Sequence, residues 1–221
     1  MNLELARSNM VEQQIRPWEV LDQGVLDLLY TVPREEFVPL SCRNLAFSDM
    51  EIPIGEGEKM WPPKMEARVL QELAPKRSDR VLEIGTGSGY LTALLAHRSA
   101  HVYSVEIRPA LAAFGKANIA RHGLDNVTLA TGDGANSVPR EFPYGGPYDI
   151  VVLTGSVPLL PKGLLDALAP GARAFAVLGE APVMTAKIIT CTAPGALHTV
   201  ELFETLVAPL ANCERSSHFT F

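Results

Sequence analysis

The stretch Val81-Leu82-Glu83-Ile84-Gly85-Thr86-Gly87-Ser88-Gly89-Tyr90 decides the fold. A short run of mostly apolar residues ends in three alternating glycines, and a helical pattern begins at Tyr90. Glycines between a strand and a helix let the backbone turn sharply and approach a ligand closely, because no Cβ is in the way. The stretch therefore predicts a strand, a ligand-binding glycine loop and a buried helix. The glycines alone would also suit a tight turn that binds nothing.

Strand and helix patterns alternate on the carboxyl side of this loop. The apolar runs predict strands at 80–84, 101–105, 126–130, 148–153 and 172–178, and helices at 90–97, 110–121 and 159–168. Such alternation is typical of an α/β fold with a doubly wound, mostly parallel sheet of the Rossmann-like kind. Two further runs, 186–191 and 200–206, predict a C-terminal antiparallel strand pair across a loop at 192–198.

The region before the glycine loop has a different pattern. Apolar residues recur at helical spacing in 1–40 and 64–74, whereas 37–63 has frequent Pro and Gly residues and predicts loops or short strands. We therefore expect a single domain with three parts. They are an N-terminal helical and loop segment at 1–75, a ligand-binding core at 76–180 and C-terminal strands at 181–221.

Composition excludes several classes of protein. The chain has 221 residues, a formal charge of −6 and 47% hydrophobic residues, so it can bury a core without disulfide or metal support. Its three cysteines, Cys42, Cys191 and Cys213, are far apart, which is typical of free thiols in a reducing compartment and favours the cytoplasm. No apolar stretch approaches the length of a membrane span, so we expect no membrane partner. The acidic balance argues against nucleic acid.

Two carboxylates follow the next two predicted strands. Glu106 ends the second strand, where a carboxylate can accept hydrogen bonds from both hydroxyls of a ribose. Asp133 lies in Gly132-Asp133-Gly134 after the third strand, placed to accept from the exocyclic amine of a base. Tyr90 stands where a nicotinamide fingerprint needs a small residue. The pattern therefore indicates a nucleoside ligand without phosphates. The alternatives are a solvated strand end for Glu106 and a turn residue for Asp133.

The sequence lacks the residue spacing that metal sites and other catalytic motifs require. The five histidines lie at 97, 101, 122, 198 and 218 and form no metal-binding set. The sequence has no P-loop lysine and no GxSxG element. We therefore expect no metal and no nucleoside triphosphate.

The order of glycine loop, Glu106 and Gly-Asp-Gly resembles the class I methyltransferases that bind S-adenosylmethionine. Further blocks extend the resemblance to the protein-L-isoaspartate O-methyltransferase family over nearly the whole chain; they lie at 9–16, 32–39, 52–57 and 206–210. The resemblance implies the Rossmann-like methyltransferase fold, S-adenosylmethionine as methyl donor and S-adenosylhomocysteine as product. It also implies a role in protein repair, in which the acceptor is the free carboxylate of an isoaspartyl residue in a damaged protein or peptide.

The same resemblance assigns site residues. It places Thr154 near the acceptor and gives Glu83 a supporting role under the glycine loop. The residues that it implies for cofactor binding are Glu83, Gly85, Thr86, Gly87, Ser88, Glu106, Asp133 and Gly134.

The chain departs from the family at one segment. The family has a Thr-Ile-Ser-x-Pro type segment whose hydroxyl lies beside the transferred methyl group, and here the aligned run is Glu58-Lys59-Met60-Trp61-Pro62-Pro63. Trp61 thus takes the catalytic position of the family Ser. It could plug the acceptor pocket, replace the hydroxyl by its indole N–H, line a pocket for another acceptor, or simply pack into the core.

Three functions therefore stay open at this point. The first is an S-adenosylmethionine-dependent O-methyltransferase of the isoaspartyl type, with activity altered by Trp61. The second is a non-catalytic module that binds S-adenosylmethionine, and the third is a methyltransferase acting on a small molecule. The sequence leaves the oligomeric state and the pathway open.

Overall fold

Helices and one short hairpin form the N-terminal part of the protein. The computed structural model describes residues 2–135, 147–193 and 195–213. Its first elements are α1 (Leu3–Met10), α2 (Gln23–Thr31), the antiparallel strands β1 (Ile52–Gly55) and β2 (Glu58–Met60), and α3 (Pro63–Leu73). Short stretches of π-helix or 3-10 helix occupy Val11–Ile15, Arg16–Trp18, Arg34–Glu36 and Leu40–Leu45. The predicted helical segment is confirmed, and so is the prediction of loops or short strands at 37–63.

Local chemistry fixes where these helices begin and end. The side chain of Asp22 accepts a hydrogen bond from the backbone N–H of Val25 at 2.8 Å and so caps the first turn of α2. Pro63 opens α3, where its missing N–H costs nothing, and Ala74 ends that helix in the left-handed conformation. The apolar face of α3 is buried in the main core.

A seven-stranded sheet forms the centre of the molecule. Its strands and helices are β3 (Arg80–Ile84), α4 (Tyr90–Ala96), β4 (His101–Glu106), α5 (Pro109–Arg121), β5 (Val127–Thr131), β6 (Tyr148–Val157), α6 (Lys162–Asp166), β7 (Leu168–Glu180), β8 (Val183–Ala193) and β9 (Ala196–Glu204). The strand order is β5-β4-β3-β6-β7-β8-β9; the pairs β7–β8 and β8–β9 are antiparallel, and the other neighbouring pairs are parallel. The predicted doubly wound sheet with a C-terminal antiparallel pair is confirmed.

The order of strands also shows where a ligand fits. The chain runs from β3 to β4 and β5 on one side and then crosses to β6 on the other. In such sheets, ligands bind beyond the carboxyl ends of the strands where the order reverses. The glycine loop lies at that point, directly after β3.

Two boundaries were predicted wrongly. The predicted helix 159–168 is limited to α6, because Leu168 already pairs with Tyr148 in the sheet and Tyr148 N–H donates to the carbonyl of Ala167 at 2.8 Å. Pro170 and Gly171 therefore lie in an irregular part of β7 instead of ending a helix, and Gly171 adopts a φ of +84° there.

The second wrong boundary is the loop predicted at 192–198. Strands β8 and β9 continue up to the pair Ala193 and Ala196, so the connection is much shorter. Residues of β9 are mostly exposed, and an exposed strand has no apolar alternation that would reveal it in the sequence.

The described part of the chain contains no helix with both the length and the apolar character that crossing a membrane requires. The same residues contain no group of His, Cys, Asp and Glu side chains suited to a metal ion.

Candidate active site

The glycine loop is held from two sides. Gly85 adopts a φ of +100°, and a Cβ there would overlap the hydroxyl of Thr154. That hydroxyl donates to the carbonyl oxygens of Ile84 and Gly85 at 2.9 and 2.8 Å, so Thr154 on β6 fixes the start of the loop. On the other side, Asn118 of α5 donates to the carbonyl of Ser88 at 2.9 Å. The loop is therefore a rigid element rather than a free turn.

A buried carboxylate lies beneath this loop. Glu83 is fully buried, and its Oε2 accepts from Thr92 at 2.5 Å and from Ser104 at 2.6 Å. The Ser104 hydroxyl also lies 2.6 Å from the hydroxyl of Thr86 in the loop. The other oxygen of Glu83, Oε1, has no partner among the described residues. Burial raises the pKa of Glu83 to about 7, against the opposing effect of the two hydroxyl donors.

Glu106 lies at the carboxyl end of β4 and faces the same loop. One carboxylate oxygen accepts from the backbone N–H of Gly87 at 2.9 Å, and the other from that of Arg108 at 3.0 Å. A carboxylate has about four lone-pair sites, so it can still accept from two further donors. The Arg108 guanidinium bonds to Glu58 on the β1–β2 hairpin, with its Nε at 2.8 Å.

Asp133 joins the loop after β5 to the C-terminal segment. Its carboxylate accepts from the backbone N–H of Ala135 at 3.2 Å and from the side-chain amide of Asn212 at 3.0 Å. Gly134 packs closely on the sheet, since a Cβ there would come within 2.8 Å of Ile84. Gly134 therefore lets the loop lie flat against the core.

Two adjacent cavities open beside these groups. The larger measures about 450 Å³ and is bordered by Glu106, Asp133 and Gly134, together with the C-terminal segment from Leu206 to Ala211. The smaller measures about 60 Å³ and is bordered by Glu83, Thr86 and Ser88. The wall residues common to both are Ile54, Lys59, Trp61, Gly85, Gly87 and Thr154. We call this common wall the seam.

All ten residues that the sequence singled out thus border the two cavities. Glu106, Asp133 and Gly134 belong to the larger, and Glu83, Thr86 and Ser88 to the smaller. The other four, Gly85, Gly87, Trp61 and Thr154, belong to the seam. Their roles in binding and catalysis stay predictions.

Trp61 is both packed and pocket-lining. It is 7% exposed, and its ring contacts that of Phe175 edge to face at a centroid distance of 5.9 Å. Its backbone carbonyl accepts from the guanidinium of Arg34, which also bonds to Glu66 and to the carbonyl of Ala46. Arg34 is fully buried, and burial lowers its pKa to about 10. This buried cation fixes the backbone on which Trp61 lies.

Sequence reasoning missed several wall residues. Lys59 and Glu58 lie in the same run that departs from the family, but the sequence comparison predicted a role there for Trp61 alone. Asn212 follows the family-like block 206–210, and nothing in the sequence pairs it with Asp133. A contact between residues 79 positions apart leaves no local pattern, so only the fold could reveal it.

Comparisons with known proteins agree with this geometry. The family model for protein-L-isoaspartate(D-aspartate) O-methyltransferase matches residues 5–213. A protein-L-isoaspartate O-methyltransferase from Methanoculleus marisnigri is 41% identical over 173 residues, which cover 78% of this chain and 77% of that protein. One from Hyperthermus butylicus is 33% identical and covers 93% of this chain and 88% of its own.

A solved structure shares the fold. It is that of a Plasmodium falciparum chain described as a protein-L-isoaspartate O-methyltransferase, in complex with S-adenosyl-L-homocysteine. It superposes with a TM-score of 0.79 over 92% of this chain and 97% of that chain, at 22% identity. With the family model matching almost the whole chain, this protein belongs to the protein-L-isoaspartate O-methyltransferase family.

Proposed function

We propose that this protein transfers the methyl group of S-adenosylmethionine to the carboxylate of an isoaspartyl residue in a damaged protein. The observation that carries the proposal is the pair of cavities that meet at the glycine loop, with carboxylates on both sides of the seam. Family membership supports the choice of acceptor. The three described cysteines are free thiols, which supports action in the cytoplasm. The net charge of −6 favours a protein acceptor over nucleic acid.

The residues present fit S-adenosylmethionine. Glu106 has lone pairs left for two ribose hydroxyls, and Asp133 borders the same cavity on the side where the adenine base would lie. Glu83 borders the smaller cavity, and its unpartnered Oε1 suits the ammonium group of the methionine part. A buried oxygen without a partner is costly, and a bound ammonium would satisfy it.

Methyl transfer from a sulfonium to a carboxylate depends mainly on the orientation of the reacting atoms. Bound S-adenosylmethionine supplies an electrophilic methyl group on a sulfonium. A carboxylate with an ordinary pKa near 4 is already ionised at pH 7, so the protein needs no general base. Holding the reacting atoms in line can lower a barrier by roughly 7 to 11 kcal/mol. The rigid seam, with Thr154 bound to the loop and Trp61 packed on Phe175, provides fixed walls for that purpose.

We further propose that the segment 1–75 supplies much of the acceptor side. Its hairpin and the following turn contribute Ile54, Lys59 and Trp61 to the seam. In this arrangement Trp61 replaces a small hydroxyl residue by a large ring, so it shapes the acceptor site and lowers transfer to a substrate that fits the Ser-containing relatives. Loss of one oriented hydroxyl donor would cost about 2.7 to 4 kcal/mol of transition-state stabilisation.

The deciding experiment is tritiated methyl transfer to an isoaspartyl peptide beside its ordinary aspartyl twin. We expect transfer to the isoaspartyl peptide alone. Transfer to neither peptide, with S-adenosylhomocysteine binding intact, would contradict the proposal and leave a binding module or a methyltransferase for small molecules. No binding of S-adenosylhomocysteine at all would contradict methyl transfer of any kind.

A further inference from the structure

We propose that Lys59 binds the carboxylate of the methyl acceptor. This inference rests on the proposed function and adds the group that recognises the substrate's charge. Lys59 lies on β2, two residues before Trp61, and borders both cavities. With the nucleoside part in the larger cavity and the methionine part in the smaller, the sulfur that joins them would hold the methyl group where the two cavities meet. Lys59 belongs to that seam.

Charge within the cavities singles out this lysine. Among the described residues that border them, the cationic side chains are Lys59 and Arg108. Arg108 bonds to Glu58 through two of its nitrogens and lies on the ribose side, next to Glu106. Arg108 borders the larger cavity only, so it lies outside the seam. Lys59 is the cation that an anionic acceptor meets at the seam.

The present partner of Lys59 can be exchanged. Its Nζ lies 2.9 Å from Oε2 of Glu51, and the two side chains are 55% and 33% exposed. Ion pairs that are this exposed contribute little to stability, because water screens them and both long side chains lose freedom. Glu51 also borders the larger cavity, so it competes with the acceptor for the same ammonium group. An arriving carboxylate can take over this contact at little cost.

The chemistry predicts which kinetic constant depends on Lys59. The acceptor carboxylate is fully charged when it binds, and it loses that charge as one oxygen forms a bond to the methyl carbon. A cation therefore holds the bound substrate at least as tightly as the transition state. Such an interaction lowers KM and leaves kcat nearly unchanged. Replacing a lysine that merely stabilised the hairpin would not raise KM while leaving kcat nearly unchanged.

The test breaks the Lys59–Glu51 pair from each side. Lys59→Met should raise the KM for an isoaspartyl peptide about tenfold or more through the lost charge-assisted hydrogen bond, with kcat close to wild type. Lys59→Arg keeps the positive charge and should bring the KM most of the way back to the wild-type value. Glu51→Gln should lower KM about twofold, because it removes the competitor. The matched control is Lys64→Met, since Lys64 also pairs with a carboxylate, Asp49, but borders neither cavity.

A higher KM in Lys59→Met together with a lower KM in Glu51→Gln would support the inference. Equal effects of Lys59→Met and Glu51→Gln, or a wild-type KM in Lys59→Met, would overturn it and leave the proposed function standing. A second readout separates the two ideas: calorimetry of the same peptide binding to the protein saturated with S-adenosylhomocysteine. Lys59-dependent binding without methyl transfer would overturn the proposed function alone. No binding in the wild type would overturn both.

Discussion

Glu83 combines complete burial with an unpartnered oxygen. Its Oε2 is bound to two hydroxyls, whereas Oε1 has no donor among the described residues. Burial favours the protonated form, as does the nearby charge of Glu106, so the pKa of Glu83 rises to about 7. In the free protein this side chain therefore changes its charge near neutral pH, which gives a way to test its environment.

We predict that Glu83 makes the protein less stable as the pH rises. The folded state holds the Glu83 proton up to a pKa of about 7, whereas the unfolded chain releases it near 4.5. The stabilising contribution is thus fully present below pH 4.5 and lost as the pH rises through 7. Urea unfolding should show that from pH 5 to pH 8 the wild type loses roughly 2 to 3 kcal/mol relative to Glu83→Gln. If the free energies of unfolding of the wild type and Glu83→Gln changed with pH in parallel, this prediction would be contradicted.

Glu106→Ala should weaken S-adenosylhomocysteine binding by roughly 1.5 to 3 kcal/mol. The change removes the acceptor for the ribose hydroxyls and also the acceptor for the N–H of Gly87. Calorimetry measures the difference, with Glu12→Ala as control because Glu12 is exposed and paired with Arg16 far from the cavities. An unchanged affinity in Glu106→Ala would place the ribose elsewhere.

Trp61→Ser should lower the free energy of unfolding by roughly 3 kcal/mol or more, because it leaves a cavity next to Phe175. Trp61→Phe keeps a ring against Phe175, so its free energy of unfolding should fall much less. Urea unfolding at constant pH gives both values. A loss below about 1 kcal/mol for Trp61→Ser would show that packing at this position contributes little.

The sequence predicted the site residues better than their partners. Glu83 and Glu106 lie at the carboxyl ends of β3 and β4, and Asp133 follows β5, so their neighbourhood could be inferred before the structure. The burial of Arg34 beneath Trp61 could not, because a charged residue in an acidic stretch looks like a solvent-exposed one. The exposed pair of Lys59 and Glu51 depends on the register of a hairpin that has only a weak strand pattern.

At the scale of elements, α5 and the glycine loop touch backbone to backbone. Gly115 allows this approach, since a Cβ there would lie 3.0 Å from the carbonyl oxygen of Gly87 and 2.9 Å from the methyl carbon of Thr86. Asn118, one turn further along α5, donates to the same loop. The helix thus sets the position of the loop.

Gly115→Ala should therefore be destabilising although alanine favours helices by about 1 kcal/mol. The new methyl group pushes α5 away from the loop, so both the stability and the affinity for S-adenosylhomocysteine should fall. Thermal unfolding and calorimetry measure the two effects. Ala117→Gly, at an exposed position of the same helix, should cost about 1 kcal/mol of stability with unchanged affinity. A more stable Gly115→Ala protein with normal affinity would contradict this role of α5.

The elements were predicted most accurately where both faces of a strand are buried. Strands β3, β4 and β6 have near-continuous apolar runs and begin where predicted, although β6 continues to Val157, beyond its predicted end at 153. The errors at α6 and β9 occur where this signal fails. Pro170 and Gly171 indicated the end of a helix, yet β7 includes them through an irregular register. Exposed β9 has no buried face to give a pattern.

On the scale of the whole molecule, distant parts of the chain enclose the larger cavity. The β1–β2 hairpin forms one wall and the segment from Leu206 to Ala211 forms another. The second wall is attached to β6, because the N–H of Ser156 donates to the carbonyl of Ala208 at 2.9 Å and the N–H of Leu210 donates to the carbonyl of Ser156 at 2.9 Å. No strand of the seven-stranded sheet lies in this wall, whereas the cavity is bordered by it.

A chain that ends at Thr205 should keep its sheet and lose more than tenfold in affinity for S-adenosylhomocysteine, because one wall of the cavity and the Asn212 contact to Asp133 are gone. Far-ultraviolet circular dichroism and calorimetry measure the two properties. The matched control is a chain that ends at Cys213 and retains the wall. Full affinity in the shorter chain would show that the segment takes no part in the site.

The separation of these walls along the sequence has a consequence for the order of folding. The segment that contacts Ser156 through Ala208 and Leu210 follows all seven strands of the sheet along the chain, so during synthesis its contacts form after those strands have been made. The parallel strands around β3 can pair before the hairpin and the C-terminal segment dock on them. A chain emerging from the ribosome would therefore acquire its sheet first and its cofactor affinity last. Capture of the cofactor would then mark the completion of folding.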